Sequence, residues 1–293
     1  MAAVETGGTK ILARICALDN GETIGERRWE TGPADQAAAH IDAFLSTMPP
    51  SFRLSAVGIA AFGPLIVDPD SPDYGRMLAT PKPGWAGSNL RAELQRRLRV
   101  PVGVDTDVNA AAIAEQQFGA GERVQSVAYV TVGTGIGAGL AIAGHSLKGA
   151  LHAEAGHLSV IRLPEDDVAS SCPFHAHCAE GLAAGPAVRR RLGDGRDLAR
   201  EPATMELIAD YLGQLGAALV MTWSPHRIVW GGGVVTAARL VPAIEQRLVA
   251  ALGGYGAGEA VTQPGFCAPA MLEHAGLEGA MLMARRLAGD RSR

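Results

Sequence analysis

Cysteine is scarce in this chain, with four in 293 residues: Cys16, Cys172, Cys178 and Cys267. A secreted disulfide scaffold needs a short, Cys-dense sequence, and this one is neither. Long apolar runs are missing as well. The longest, around Leu212 to Trp223, is interrupted by Gln214 and bounded by Asp210 and Pro225, too short and too polar to span a bilayer. No apolar signal core precedes the first Gly-rich turn at residue 7. Nor is there an excess of positive charge. With 26 Lys and Arg against 30 Asp and Glu, the net charge of −4 argues against a nucleic-acid surface. The basic triplet Arg189-Arg190-Arg191 reads as a solvated helix face. Together these absences point to a cytoplasmic protein with reduced thiols and no membrane partner. In that setting paired cysteines serve metal binding or chemistry more often than cross-linking.

What is present is apolar material and glycine. Hydrophobic residues make up 47% and charged residues 19%, as in folded globular proteins, and the length allows two domains with cores of their own. Two of the cysteines fall in one short run, Cys172-Pro173-Phe174-His175-Ala176-His177-Cys178, with His157 upstream. Thiolate sulfur and imidazole nitrogen supplied by a tight turn are what Zn²⁺ takes in tetrahedral sites. The spacing Cys-x₂-His-x₂-Cys selects Cys172, His175 and Cys178, with His157 as the fourth ligand. Four protein ligands would leave no open position, so the ion would be structural. Two alternatives stay open: His177 in place of His175, although it adjoins Cys178, and His157 as a capping residue. Glu154 and Glu180 flank the cluster.

Along the chain, Ala2 to Glu5 and Ile11 to Leu18 read as strands joined by Thr6-Gly7-Gly8-Thr9-Lys10. Glycines let such a turn present backbone N–H groups to an anion, phosphate above all, with Thr9 and Lys10 adding a hydroxyl and a charge. An ordinary hairpin is the alternative. Residues 34–48 predict a helix with Ile41, Phe44, Leu45 and Met48 on one face. Ala56 to Val67 reads as a buried strand running into a Gly-Pro turn, and Asp68 to Asn89 as a loop rich in Pro and Gly, the kind of segment that carries sites. Leu90 to Leu98 predicts a helix and Val100 to Val104 a strand. Asp105-Thr106-Asp107-Val108-Asn109 follows, a carboxylate-rich turn before a helix from Ala110 to Phe118, with Asn109 or a neighbour as cap. Asp107 is either a capping acid or a general base for a substrate hydroxyl.

A second Gly-rich turn, Gly133-Thr134-Gly135, joins strands at Val127 to Val132 and Gly139 to Gly144. Gly133 to Ala138 satisfies the dinucleotide pattern G-x-G-x-x-A, which would suggest a nicotinamide-dependent oxidoreductase. That fingerprint must open a helix, whereas here another strand follows. The chain thus holds two similar phosphate-facing hairpins. Gly185 to Leu192 and Thr204 to Trp223 predict helices. Arg227 to Trp230 is a strand meeting Gly231-Gly232-Gly233, followed by a helix through Pro242 to Leu252, and Glu273 to Leu287 is a last helix.

Taken together, these motifs resemble the ROK family of sugar kinases, over nearly the whole chain from Glu5 to Leu287, and most of all its zinc-containing fructokinase branch. Glu5 to Lys10 and Thr131 to Gly137 are similar to the family's two phosphate motifs, Gly231 to Val234 to its adenosine-side motif, and Asp105 to Asn109 to its catalytic stretch. Glu stands at position 5 where many members have Asp, Thr106 where Asn is common, and His175 where many have a third cysteine. The resemblance implies an α/β, two-domain actin-like ATPase (ribonuclease H-like) fold with a cleft between the domains. It implies domains at 1–110 and 111–272, with a helix at about 273–290 packing back on the first, and a hinge near residues 107–120. ATP with Mg²⁺ would be held by Gly7, Gly8, Thr9, Lys10, Gly133, Thr134, Gly135, Gly232 and Gly233. The sugar would meet Gly63, Asn89, Asp107, Glu154, His157 and Glu180. His157, Cys172, His175 and Cys178 would bind structural Zn²⁺, and Asp107 would be the base.

The expected activity is transfer of the ATP γ-phosphoryl group to the 6-hydroxyl of D-fructose, with mannose, glucose or an N-acetylhexosamine as alternative acceptors. A homodimer is the expected assembly. A sugar-responsive regulator of the same family would carry a DNA-binding helix-turn-helix, for which the motif at residue 5 leaves no room. A zinc-stabilised binding module without activity would have no use for Asp107 and two phosphate hairpins.

Overall fold

The computed structural model of the chain describes residues 1–49 and 52–289. It divides into two units. One comprises Met1–Ala114, Ser146–His152 and the chain from His274 on; the other comprises Glu115–His145 and Ala153–Glu273. In chain order the first elements are β1 (Ala2–Thr6), β2 (Lys10–Cys16), β3 (Thr23–Glu30), α1 (Ala34–Leu45), β4 (Val57–Ala61), α2 (Leu90–Leu98) and β5 (Val102–Thr106). Helix α3 (Asp107–Phe118) follows, and the division falls inside it. Then come β6 (Ser126–Val132), β7 (Ile136–Ile142), β8 (His145–Ser146), α4 (Ala179–Ala183), α5 (Gly185–Leu192) and α6 (Pro202–Trp223). The series ends with β9 (Arg227–Gly231), α7 (Gly233–Ala238), α8 (Val241–Ala251), α9 (Gly258–Val261), β10 (Cys267–Pro269) and α10 (Ala275–Gly289). The α/β class expected from the sequence is what the chain adopts.

Each unit is built on a five-stranded mixed sheet, in the orders β3-β2-β1-β4-β5 and β10-β9-β6-β7-β8. The two orders are one plan used twice. An antiparallel hairpin (β1–β2, β6–β7) comes first, a third strand adds beside the second, and two further strands add in parallel on the other side. In both hairpins three residues separate the strands, Gly7 to Thr9 in one and Gly133 to Gly135 in the other.

Period-two alternation decides which side chains meet which helices in the first sheet. Ala2, Val4, Ile11, Ala13, Ile15, Val57, Ile59, Val102 and Val104 share one core with Ile41, Phe44 and Leu45 of α1 and Leu90 and Leu94 of α2. The intervening Ala3, Leu12 and Ala60 cluster with Ala110, Leu277 and Ala280. Here the backbones come close. A Cβ on Gly58 would overlap the Ala280 carbonyl, and one on Gly279 would overlap the Ala110 carbonyl. The second core is larger. It joins Ala128, Val130, Leu140, Ile228 and Trp230 of the sheet to Ile208, Leu212 and Leu215 of α6 and Ile244 and Leu248 of α8. Among the described residues no helix is long and apolar enough to cross a membrane.

Several boundaries differ from those expected. Strand β3 was not anticipated. Its sequence, Thr-Ile-Gly-Glu-Arg-Arg-Trp-Glu, is mostly exposed, and its charges suit a sheet edge, where they oppose pairing with another chain. The buried strand ends at Ala61, and the backbone then turns through the cis peptide Gly63–Pro64, the Gly-Pro turn the sequence placed there. Helix α3 begins at Asp107, three residues before the expected Ala110, because Thr106 is the cap: its Oγ1 accepts the Asn109 N–H at 3.1 Å. Glu115, also unanticipated, is fully buried and accepts three backbone N–H groups, from Ala120 (2.8 Å), Met271 (2.9 Å) and Leu272 (2.8 Å). Gly58→Ala forces Cβ against α10 and is expected to lower the unfolding free energy by about 2–3 kcal/mol, measured by urea denaturation.

Candidate functional site

In the first unit the Gly7–Thr9 turn is closed by Gly7 N–H donating to Lys10 O (2.8 Å). Thr31 Oγ1 donates to Gly7 O at 2.7 Å, and Lys82 Nζ donates to Gly8 O at 2.6 Å. A Cβ on Gly8 would meet nothing within 4 Å, so the turn's outer side is open. Thr9 and Lys10 are exposed beside it. Glu5, in β1 two residues before the turn, faces α10. Burial pushes its carboxyl up, against the pull of His274, Lys10 and a hydrogen bond from Leu277 N–H. Lys82 was missed in the sequence. Only the fold brings the proline-rich loop back to this turn.

The Asp107 turn is organised by Asp105, whose side chain is 2% exposed. Asp105 Oδ1 accepts from Thr106 N (2.8 Å) and Asn109 Nδ2 (2.8 Å). Its Oδ2 accepts from Ser146 Oγ (2.6 Å) and pairs with Lys148 Nζ (3.0 Å). A buried carboxylate is tolerated when it is hydrogen-bonded and paired in this way. Asp107 is then the half-buried first residue of α3, at the positive end of the helix dipole, with Oδ1 accepting Val108 N–H at 2.9 Å. Asn89 caps α2. Its Oδ1 accepts Ala92 N–H (2.9 Å) and its Nδ2 donates to Tyr74 O (3.0 Å). An amide offers two donors and two acceptor positions, so one of each is left for another partner.

In the second unit the Gly133–Gly135 turn is closed by Gly133 N–H to Gly135 O at 2.9 Å, and Gly185 N–H at the start of α5 donates to Gly133 O at 2.8 Å. Gly232 lies so near β6 that a Cβ would overlap the backbone of Val132; Gly233, exposed, begins α7.

The four residues singled out by the Cys and His spacing come together. Ligand atoms of His157, Cys172, His175 and Cys178 all lie within 4.8 Å of one another. Cys172 Sγ is 3.8 Å from His157 Nδ1 and 3.6 Å from His175 Nδ1. Ligands on one tetrahedral zinc would be separated by about 3.6 Å, given the usual Zn–S and Zn–N lengths. His177 is not in the cluster; its carbonyl instead accepts Val160 N–H at 2.9 Å. The donor set of two sulfurs and two imidazoles suits zinc over the hard cations. Burial pushes the Cys178 thiol up to about 11, with Cys172 and Glu180 adding to the shift against the Gly181 N–H. Two neighbouring sulfurs are thus poor company for each other's negative charge, which a divalent cation would neutralise. The other face of His157 meets Glu180, with Nε2 3.8 Å from Oε1. Glu154, exposed, precedes the short 3-10 turn Ala155–His157.

A buried hub unforeseen in the sequence anchors the segment between His157 and Cys172. Asp166, its side chain 1% exposed, accepts from Tyr211 OH (2.7 Å) and Arg191 Nη2 (2.6 Å). Arg191 Nη1 also donates to Leu182 O and Ala187 O, so the loop is tied to α4 and α5. Burial alone would raise the Asp166 carboxyl, but Arg191 and Tyr211 hold it below its ordinary value.

The ROK family model matches residues 1–287. The chain belongs to the ROK family. A protein named fructokinase from Pediococcus pentosaceus is 36% identical over 289 residues, covering 97% of each chain. Among solved structures, a ROK hexokinase from Thermus thermophilus superposes with a TM-score of 0.77 at 27% identity, covering 99% of each chain. A ROK family glucokinase from Streptomyces griseus, in complex with glucose and AMPPNP, gives 0.75 at 27% identity, covering 98% of this chain and 99% of that one. The fold is therefore the actin-like ATPase fold of ROK sugar kinases, as the motifs implied.

In this ROK chain the Asp166 hub has a readable titration. Burial, then Asp166, raises the Tyr211 phenol from about 10 to about 12. Its contribution to stability is complete below pH 10 and is lost as pH rises toward 12. Tyr211→Phe removes a buried hydrogen bond to a charged group and should cost about 2 kcal/mol at pH 7. Denaturant unfolding across pH should show the wild-type advantage shrinking above pH 10.

Proposed function

We propose that this chain is an ATP-dependent hexose kinase whose preferred acceptor is the 6-hydroxyl of D-fructose, with mannose, glucose and N-acetylhexosamines as weaker or alternative acceptors. The observation that carries the reading is full-length similarity, at 36% identity, to a protein named fructokinase. The ordered Asp107 turn agrees with it. In this reading Asp107 accepts the proton of the attacking hydroxyl, the new O–P bond forms in line with the breaking bond to the β-phosphate oxygen, and ADP leaves. Gly63, Asn89, Glu154, His157 and Glu180 orient the sugar. The N–H groups of Gly8 and Gly135 receive phosphate oxygens, with Gly7, Thr9, Lys10, Gly133 and Thr134 at the same turns. Gly232 and Gly233 admit the adenosine. Most of the rate enhancement in such a transfer comes from positioning and charge neutralisation.

Magnesium would supply charge neutralisation on the phosphates. The one cluster of metal-type ligands among the described residues is sulfur and nitrogen rather than an oxygen cage, so magnesium belongs with the substrate's own oxygens. Zinc fits the four-ligand cluster as a structural ion that fixes His157 and, through the Cys172–Cys178 loop, the start of α4. We also propose a homodimer. The free thiols at Cys16, Cys172, Cys178 and Cys267 suit a reducing compartment, the cytoplasm.

A coupled ADP-release assay over a panel of hexoses should give the highest kcat/KM with fructose; no ADP release with any hexose would refute the reading. Asp107→Asn should keep the wild-type melting curve and lower kcat by about three orders of magnitude or more. Metal analysis of protein purified without chelator should find about one zinc per chain, lost in Cys178→Ala together with stability.

A further inference from the structure

The Gly133–Gly135 turn is held from both ends by the segment that follows the metal cluster. At one end Gly185 N–H donates to Gly133 O at 2.8 Å. At the other, Ile136 N–H donates to Glu180 Oε2 at 2.9 Å. The approach is close: a Cβ on Gly135 would stand 2.6 Å from Glu180 Oε2, so any side chain there would push the carboxylate away. The other oxygen, Oε1, lies 3.8 Å from His157 Nε2. One half-buried carboxylate therefore touches the imidazole of the metal cluster and the backbone of a phosphate turn. Glu180 itself is fixed by α4, whose first turn is capped by Cys178 Sγ accepting Gly181 N–H at 3.3 Å.

A turn that binds phosphate through backbone N–H groups works only in one shape, because those groups must converge on the same oxygens. Thr134, at its tip, is exposed. The flexible glycines on either side of Thr134 would cost entropy to order each time a nucleotide bound. We propose that Glu180 is a positioning residue for the nucleotide: through Ile136 N–H it holds the Gly133-Thr134-Gly135 turn in its phosphate-receiving shape. This rests on the kinase reading and adds to the sugar contact assigned to Glu180 there. It makes the affinity of the second unit for nucleotide depend on a residue of the sugar and metal side.

The test is the dissociation constant of a fluorescent ATP analogue with Mg²⁺, measured on the full-length, zinc-loaded chain without any sugar. Glu180→Ala and Glu180→Asp, which remove or shorten the acceptor, should weaken binding about tenfold, the scale of one hydrogen bond to a charged group. Glu180→Gln keeps an oxygen at the same reach and should stay within about threefold of wild type. If Glu180→Ala fails to fold, the Asp and Gln variants decide. Wild-type affinity in the Asp variant would overturn the proposal, since a residue that only lines the sugar would move the fructose KM alone. Equal weakening in all variants, Gln included, with loss of zinc would also overturn it, assigning Glu180 to loop integrity. A wild-type chain that binds the analogue but phosphorylates no hexose would refute the kinase reading and leave the Glu180 comparison standing. A wild-type chain that binds no nucleotide would refute both.

Discussion

Burying the Asp105 carboxylate would cost several kcal/mol if its lone pairs went unmet. Its four partners, Thr106 N–H, Asn109 Nδ2, Ser146 Oγ and Lys148 Nζ, discharge that penalty and in doing so lock the end of β5. Thr106 caps α3 from the same turn. The direction in which Asp107 leaves the sheet is set by these contacts, two residues away from the group proposed to do chemistry. Removing any one partner would leave charge or a lone pair unsatisfied, which makes this turn stiff where stiffness is useful.

The second unit solves a related problem with different chemistry. Its long irregular segment, from His157 to Cys178, has too little apolar surface to hold itself, with Ile161 and Phe174 pointing to solvent. Two polar anchors compensate. One is the Asp166 hub with Arg191 and Tyr211; the other is the sulfur and imidazole cluster. The Asp166 hub is made entirely of protein, so part of the loop's order is independent of any metal.

What could be read in the sequence was whatever local chemistry dictates. Glycine pairs at 7–8 and 133–135 announced turns. The run Leu90–Leu98 and the Gly185–Leu192 segment appear as helices with those bounds. The Cys172, His175 and Cys178 spacing converged as a cluster with His157. What stayed hidden depends on distant partners or on missing alternation. Strand β3, at the sheet edge, carries charges on both faces and so shows no clear alternation. Asp105 could be read only as part of a carboxylate-rich turn, since Ser146 and Lys148 lie about forty residues on. Glu180 could be seen near the cluster, but its bond to Ile136 spans 44 residues. Asp166 and Tyr211 carry no motif at all. Side-chain partners fixed by tertiary packing leave no periodic trace.

The duplicated sheet plan conceals an asymmetry in time. One face of the first sheet, with Ala3, Leu12 and Ala60, is covered by Leu277 and Ala280 of α10. These partners are synthesised only after the second unit. During translation the first strands must therefore wait, with one apolar face open, while the whole second unit is made. The second unit's sheet has its own helices α6 and α8 near it in the chain, and can mature first. Although domains generally fold in the order they emerge, the unit that begins the chain here is the one that finishes last.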